Sequence, residues 1–225
     1  MIKAVLIDID DTLLDFTLSA RAAMRQGFEE YGLPFFERAC GAFTRVNDAL
    51  WRQIERGELT TDELFARRWN EIFALLGVEA DGARFERRFL ALLHATAIPV
   101  EGAAELCRYL SGRYVLCAAS NAFYDQQRDR LRAAGMLPYF SHLFISERLG
   151  LRKPDRAFFD ACLASLPGVR ADECVMIGDS LTADVAGGRG AGMKTIWFDR
   201  AQRPAPAGCG ADYVVGTLAE IKALL

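Results

Sequence analysis

The sequence predicts an α/β fold in which a parallel sheet is covered by helices on both faces and is interrupted near its start by an inserted all-helical domain. Three observations lead there. Ile2 to Ile9, Tyr114 to Ala119, Cys174 to Ile177 and Thr195 to Phe198 are apolar along nearly their whole length, as strands buried on both faces are. Helical segments alternate with such runs from residue 101 onward. Between the first run and the second lie roughly eighty residues of helical pattern, far more than the dozen or so that an ordinary crossover needs.

The first strand ends in Asp8-Ile9-Asp10-Asp11-Thr12, three acids within four residues. Such acids repel one another and lose solvation if partly buried, so the cluster reads either as a solvated turn or as a site held together by a cation. From residue 16 to residue 95 the spacing is helical: Ala20, Ala23, Met24 and Phe28, then Phe43, Val46, Leu50 and Ile54, then Phe85, Phe89 and Leu92. Thr60 followed by Glu63 resembles a capping box opening the helix that carries Leu64, Trp69, Ile72 and Phe73. Pro99 closes this inserted domain, so residues 1–15 and 96–225 are expected to form the core and residues 16–95 a separate helical unit.

Beyond Pro99 helix and strand alternate. A helix from Ala103 to Leu110 leads to the strand that ends in Ser120-Asn121, and a helix from Tyr124 to Ala134 stops at Gly135. A short strand, Leu143 to Ile145, precedes the loop Gly150 to Asp155 and a helix from Arg156. Cys174 to Ile177 ends in Gly178-Asp179, from which a helix from Leu181 to Gly187 is expected. Thr195 to Phe198, Tyr213 to Val215 and a terminal helix complete the chain.

Composition excludes several function classes. A formal net charge of −3 without a basic run gives no footprint for a nucleic-acid polymer. The six cysteines are far apart with no CxxC pair, as expected of reduced, structural thiols rather than a zinc site. No apolar run approaches the ~18 residues of a spanning helix and no signal-peptide pattern is present, so no membrane partner and a cytoplasmic setting are expected.

Right-handed crossovers place all the carboxyl ends of parallel strands on one sheet edge, where open α/β folds hold ligands. Asp8, Asp10, Ser120, Asn121, Lys153, Asp179 and Asp184 then share that edge. Carboxylates without nearby His or Cys suit Mg²⁺. A lysine with a hydroxyl and backbone N–H groups suits a phosphate dianion. An aspartate could attack such a phosphoryl group in line while a second acid protonates the leaving oxygen, and Asp8 and Asp10 fit these roles.

The ordered set resembles the four motifs of the haloacid dehalogenase-like superfamily: Asp8-Ile9-Asp10-Asp11-Thr12 its DxDxT, Ser120 its second motif, Lys153-Pro154-Asp155 its third, and Gly178-Asp179 through Asp184 its GDxxxxD. The resemblance covers a Rossmann-like core and implies a helical cap domain between the first and second motifs. It implies Asp8 as nucleophile, Asp10 as general acid/base, and Ser120 and Lys153 as phosphate stabilisers. Mg²⁺ would be held by Asp8, the backbone carbonyl of Asp10, Asp179 and, through water, Asp184. An acid at position 10 is what separates phosphatases and phosphomutases from true dehalogenases in that superfamily.

Val46 to Trp51, Arg56 to Thr61 and Ile145 to Gly150 look similar to its pyrimidine 5'-nucleotidase group, which implies a small phosphorylated metabolite such as a nucleoside monophosphate as substrate. Ser120-Asn121-Ala122 departs from the group's common Thr-Asn-Gly, and the base-side contact would fall around Phe123. Phe16 lies just beyond the acidic turn and is expected to touch ligand, with Asn121 on the phosphate side. Asn47 and Trp51, four apart on one helix face, either present an amide and a ring to a base or pack the domain interior. His94 and His142 read as structural or surface residues, and Asp11 as support for the turn. The alternatives to a nucleotidase are a phosphatase for small sugar or acid phosphates, such as an acylneuraminate or glycolate phosphate, and a non-catalytic phosphate- or metal-binding member of the fold.

Overall fold

Six parallel strands form one sheet in the order β3-β2-β1-β4-β5-β6. The computed structural model describes residues 1–34 and 37–225. In chain order the elements are β1 (Ala4–Ile7), α1 (Phe16–Glu30), α2 (Glu37–Glu55), α3 (Thr61–Leu76), α4 (Gly82–His94), α5 (Ala103–Ser111), β2 (Val115–Ser120), α6 (Tyr124–Ala133), β3 (His142–Ile145) and α7 (Ser146–Leu149). There follow α8 (Arg156–Ala164), β4 (Cys174–Gly178), a π-helical turn (Leu181–Ala186), α9 (Gly187–Gly190), β5 (Lys194–Phe198), β6 (Tyr213–Val215) and α10 (Leu218–Leu224). The chain divides into two compact units, Met1–Phe16 with Ala97–Leu225, and Thr17–Thr96.

In the sheet unit β1 is central and every residue of it is fully buried. Its side chains alternate between two cores: Val5 and Ile7 pack with Leu106, Leu116 and Ile221, while Ala4 and Leu6 pack with Phe144, Phe158 and Phe159. Helices on both faces therefore account for the unbroken apolar strands. The strand order reverses between β1 and β4, the switch point outside which a crevice opens at the carboxyl ends. Ladder pairing reaches that edge in step, with Ile7 opposite both Ala118 and Ile177 and the Asp8 N–H donating to Ile177 O at 2.8 Å. The first strand is shorter than the expected Ile2 to Ile9, because the chain turns out of the ladder after Asp8.

Where the chain leaves and re-enters this unit, its two segments are bonded together: Val100 N–H donates to Leu13 O at 2.9 Å and Asp15 N–H to Ile98 O at 2.8 Å. Buried Asp15 also accepts from Arg200 at 2.7 Å.

The helical unit is organised around rings. Trp69 meets Phe85 edge-on at 4.4 Å between centroids and also contacts Phe28, Phe43, Phe73 and Phe89. Beside them a buried ion pair joins Arg68 to Glu86 at 2.5 Å, with Arg68 also donating to Asn47 Oδ1 at 2.8 Å and lying over the Phe43, Phe65 and Phe89 rings. The Thr60–Glu63 capping box is present at the start of α3. Among the described residues no helix is long and apolar enough to cross a membrane.

Candidate active site

The acidic turn after β1 is shaped by its own backbone. Leu13 and Leu14 N–H both donate to Ile9 O, and Asp11 adopts a left-handed φ of 55°, a conformation Asp tolerates better than most residues. Asp11 Oδ1 accepts the Phe16 N–H at 3.0 Å, so this acid supports the turn and starts α1. Asp8 stays buried at the strand end while the Asp10 side chain reaches the surface of the crevice, 30 % exposed.

After β4 the expected α-helix opens as a π turn. The Asp184 and Val185 N–H groups both bond to Ser180 O, and Asp184 folds back so that its Oδ2 accepts the Ser180 N–H at 3.0 Å. Gly178 makes this possible, since a Cβ there would stand 2.0 Å from Asp184 Oδ2. The Asp179 carbonyl is fixed by the Trp197 indole N–H at 2.8 Å, and Arg203, paired with Asp199, lies over that indole.

Lys153 arrives from the loop after α7 and is fully enclosed. Its Nζ donates to Asp184 Oδ1 at 2.6 Å, to Asp8 Oδ1 at 2.7 Å and to the Ala119 carbonyl at 2.7 Å. Burial opposes the ammonium charge, but Asp184 and Asp8 outweigh it and hold Lys153 above its ordinary range. Burial pushes the Asp8 carboxyl up to about 7, with Lys153 pulling against the shift and the Asp184 charge adding to it. Burial also raises Asp179 well above the usual carboxylate range, reinforced by the Asp8 and Asp184 charges.

Asp8, Asp179 and Asp184 each offer a carboxylate oxygen, all within 4.8 Å of one another. Three carboxylates against one ammonium leave an excess of negative charge in a poorly solvated place. A hard divalent cation bound by oxygens would relieve it, so the donor set fits Mg²⁺ and lacks the His and Cys that favour zinc.

The other expected site residues fall in different places. Ser120 is buried at the end of β2 and its Oγ accepts from Gln127 at 3.2 Å. The Asn121 side-chain amide bonds reciprocally with the Lys153 peptide, Nδ2 to O at 2.7 Å and Oδ1 from N at 2.8 Å, and so braces the lysine. Phe123 is half-buried at the start of α6, and Phe16 is half-buried at the start of α1. Asn47 is buried and its amide is engaged inside the helical unit, with Arg68 and with Asp48, while Trp51 on the same helix is half-buried. His142 stacks on Phe144 at 5.4 Å.

Sequence reasoning missed Gln127 and Arg130 of α6. Gln127 Nε2 donates to Asp10 Oδ2 at 2.5 Å and Arg130 Nη1 to Asp10 Oδ1 at 2.6 Å. The available signal was spacing: Arg130 and Leu131 lie three and four residues after Gln127, on the side of α6 that is buried, where apolar side chains are the rule.

An acidic turn at a strand end, a buried lysine and an acid pair meet at the switch point of a parallel sheet, an arrangement suited to a phosphoryl-handling hydrolase. The chain belongs to the haloacid dehalogenase-like hydrolase family, whose profile matches residues 2–192. It is 36% identical over 198 residues to the pyrimidine 5'-nucleotidase PynA of Streptococcus pneumoniae, spanning 88% of this chain and 84% of that one. It is 28% identical over 221 residues to the pyrimidine 5'-nucleotidase YjjG of Escherichia coli, spanning 98% and 96%. A crystal structure of the HAD-hydrolase YfnB of Bacillus subtilis, bound to magnesium and revealing interdomain movement, superposes with a TM-score of 0.94 at 32% identity, covering 100% of this chain and 98% of that one.

Proposed function

We propose that this phosphoric monoester hydrolase is Mg²⁺-dependent, acts through an aspartyl-phosphate on Asp8, and takes pyrimidine nucleoside 5'-monophosphates. The observation that carries the reading is the convergence of Asp8, Asp179, Asp184 and Lys153 at the carboxyl ends of β1 and β4. Asp8 attacks phosphorus in line as the ester P–O bond breaks, and Asp10 gives its proton to the departing oxygen. Asp10 then takes a proton from water as that water attacks phosphorus and the Asp8–phosphorus bond breaks, releasing phosphate. Lys153 orients Asp8 and, with Ser120, meets the phosphoryl oxygens. Mg²⁺ held by Asp8, Asp179, Asp184 and the Asp10 carbonyl would supply charge neutralisation for those oxygens.

None of these groups reads the alcohol that leaves, so substrate choice is assigned to the inserted helical unit, read as a cap domain, and to Phe16, Trp51 and Phe123. The nucleotidase half of the proposal is supported by the names of PynA and YjjG, and the Mg²⁺ half by the magnesium in the YfnB structure. A cytoplasmic setting is in keeping with six cysteines that are all unbridged.

The test is a screen of phosphate release from nucleoside monophosphates, sugar phosphates and acid phosphates, with Mg²⁺ and with chelator, ranked by kcat/KM. UMP, dUMP or dTMP should lead, and chelator should abolish turnover. A sugar or acid phosphate at the head of the ranking would overturn the nucleotidase assignment. Full activity in Asp8→Asn would overturn the mechanism.

A further inference from the structure

The carboxylate of Asp10, like that of Asp8, is held by buried polar side chains, here from α6. Arg130 Nη1 donates to Asp10 Oδ1 at 2.6 Å and to Gln127 Oε1 at 3.1 Å. Gln127 Nε2 donates to Asp10 Oδ2 at 2.5 Å and to Ser120 Oγ at 3.2 Å. Gln127 and Arg130 are essentially inaccessible to solvent, while the Asp10 side chain is about a third exposed. The arrangement is a closed ring of three side chains, with Asp10 as its accessible tip.

Stability alone is a weak reason for such a ring. Taking a guanidinium and a carboxylate out of water costs several kcal/mol, and apolar side chains of similar volume often do as well or better in the same space. What the ring does achieve is orientation. Each Asp10 oxygen receives one donor from α6, which fixes the plane of the carboxylate, and a carboxylate oxygen has a further acceptor site for a proton or a leaving oxygen. The Arg130 bond to Gln127 Oε1 sets which end of the amide faces Asp10. Through Ser120 the same amide ties the acid to the phosphate-binding strand end. A group that must transfer a proton in a fixed geometry gains rate from being held there in advance.

We infer that Gln127 and Arg130 are positioning residues for the general acid, holding Asp10 and Ser120 in register so that the proton of Asp10 meets the leaving oxygen. This rests on the reading of Asp10 as general acid, and the experiment separates the two.

The probes are p-nitrophenyl phosphate, whose leaving group departs without a proton, and a nucleoside 5'-monophosphate, whose alkoxide needs one. The quantity is kcat/KM, which reports steps up to departure of the leaving group. Arg130→Met and Gln127→Met should lose about 10- to 100-fold on the nucleotide and less than about threefold on p-nitrophenyl phosphate, part of the 10²–10⁴ that a positioned acid contributes. Arg130→Lys should recover some of the nucleotide rate. Gln127→Met keeps the test open should the Arg130→Met variant not fold. In an Asp10→Ala background Arg130→Met, which leaves the Gln127 bond to Ser120 in place, should cost nothing further.

Equal losses on both esters, an undiminished nucleotide rate, or further loss from Arg130→Met in the Asp10→Ala background would overturn the inference, leaving a structural ring. If Asp10→Ala itself fell equally on both esters, the acid assignment would fall first and this inference with it.

Discussion

Lys153 is the residue on which the electrostatics of the site turn. It is enclosed between two acids and a carbonyl, so its removal leaves Asp8 and Asp184 facing each other without a counter-charge. Lys153→Met should lower kcat by at least about a hundredfold, the scale on which removing one preorganised group costs an enzyme. It should also destabilise the metal-free protein by about 3–5 kcal/mol, as breaking a buried pair does. Because Asp8 is already pushed up to about 7 with the lysine present, its absence raises it further, and protonation then removes the repulsion. The destabilisation in urea titrations should therefore be smaller at pH 5 than at pH 8. An equal loss at both values would mean that the ammonium acts by packing alone.

At the scale of elements, the π turn after β4 and the ion pair of the helical unit each make a local rule give way to a contact. Gly178 is where the strand must pass under the Asp184 carboxylate, so Gly178→Ala forces a shift of the turn. Overpacking of this kind costs about 1–3 kcal/mol. Since the shifted group is a proposed metal ligand, Mg²⁺ affinity measured by calorimetry should fall along with stability. In the helical unit Arg68 and Glu86 pair inside an aromatic core, and burial raises the Glu86 carboxyl against the pull of Arg68. Arg68→Met should cost about 3–5 kcal/mol by stranding Glu86, whereas Arg68→Met with Glu86→Leu should regain most of it. A double variant as unstable as the single one would show that Asn47 and the ring contacts, rather than the charge pair, set the cost.

For the whole molecule, the raised carboxyls tie stability to pH and to the cation. Asp8 titrates at about 7 in the folded chain against 3.8 as its ordinary value, so the folded state binds the proton more tightly. The stability this confers is fully present below about pH 4 and is lost as pH rises through about 7. A divalent cation competes with that proton and replaces its effect. Mg²⁺ at about a hundred times its Kd should stabilise by ~2.7 kcal/mol. For a chain of this size that is a Tm increase of about 5–10 °C. The increase should be larger at pH 8 than at pH 5.5 and small in Asp8→Asn, which thermal scans with and without chelator would show. A Tm indifferent to Mg²⁺ at pH 8 would remove the cation from Asp8, Asp179 and Asp184.

The sequence by itself determined the parallel α/β architecture, the helical insertion and the strand ends that carry Asp8, Ser120 and Asp179, because each is written in a short local pattern: an apolar run that stops at a polar residue, or a helical period sustained without a strand. Asp184 was legible through its spacing from Asp179, and Lys153 through the Lys153-Pro154-Asp155 motif that the resemblance carries. What only the tertiary structure decided was the partner of each charge. Gln127 and Arg130 lie 117 and 120 residues from Asp10, Arg68 lies 18 from Glu86, and Asn121 reaches across 32 residues to the Lys153 peptide. Such pairs leave no period or spacing in the chain. Gln127, Arg130 and Asn121 meet their partners because the parallel topology brings α6 and the loop after α7 to the same sheet edge, Arg68 and Glu86 because α3 packs on α4. A polar residue on a buried helix face is recognised as functional only when the group it faces is known.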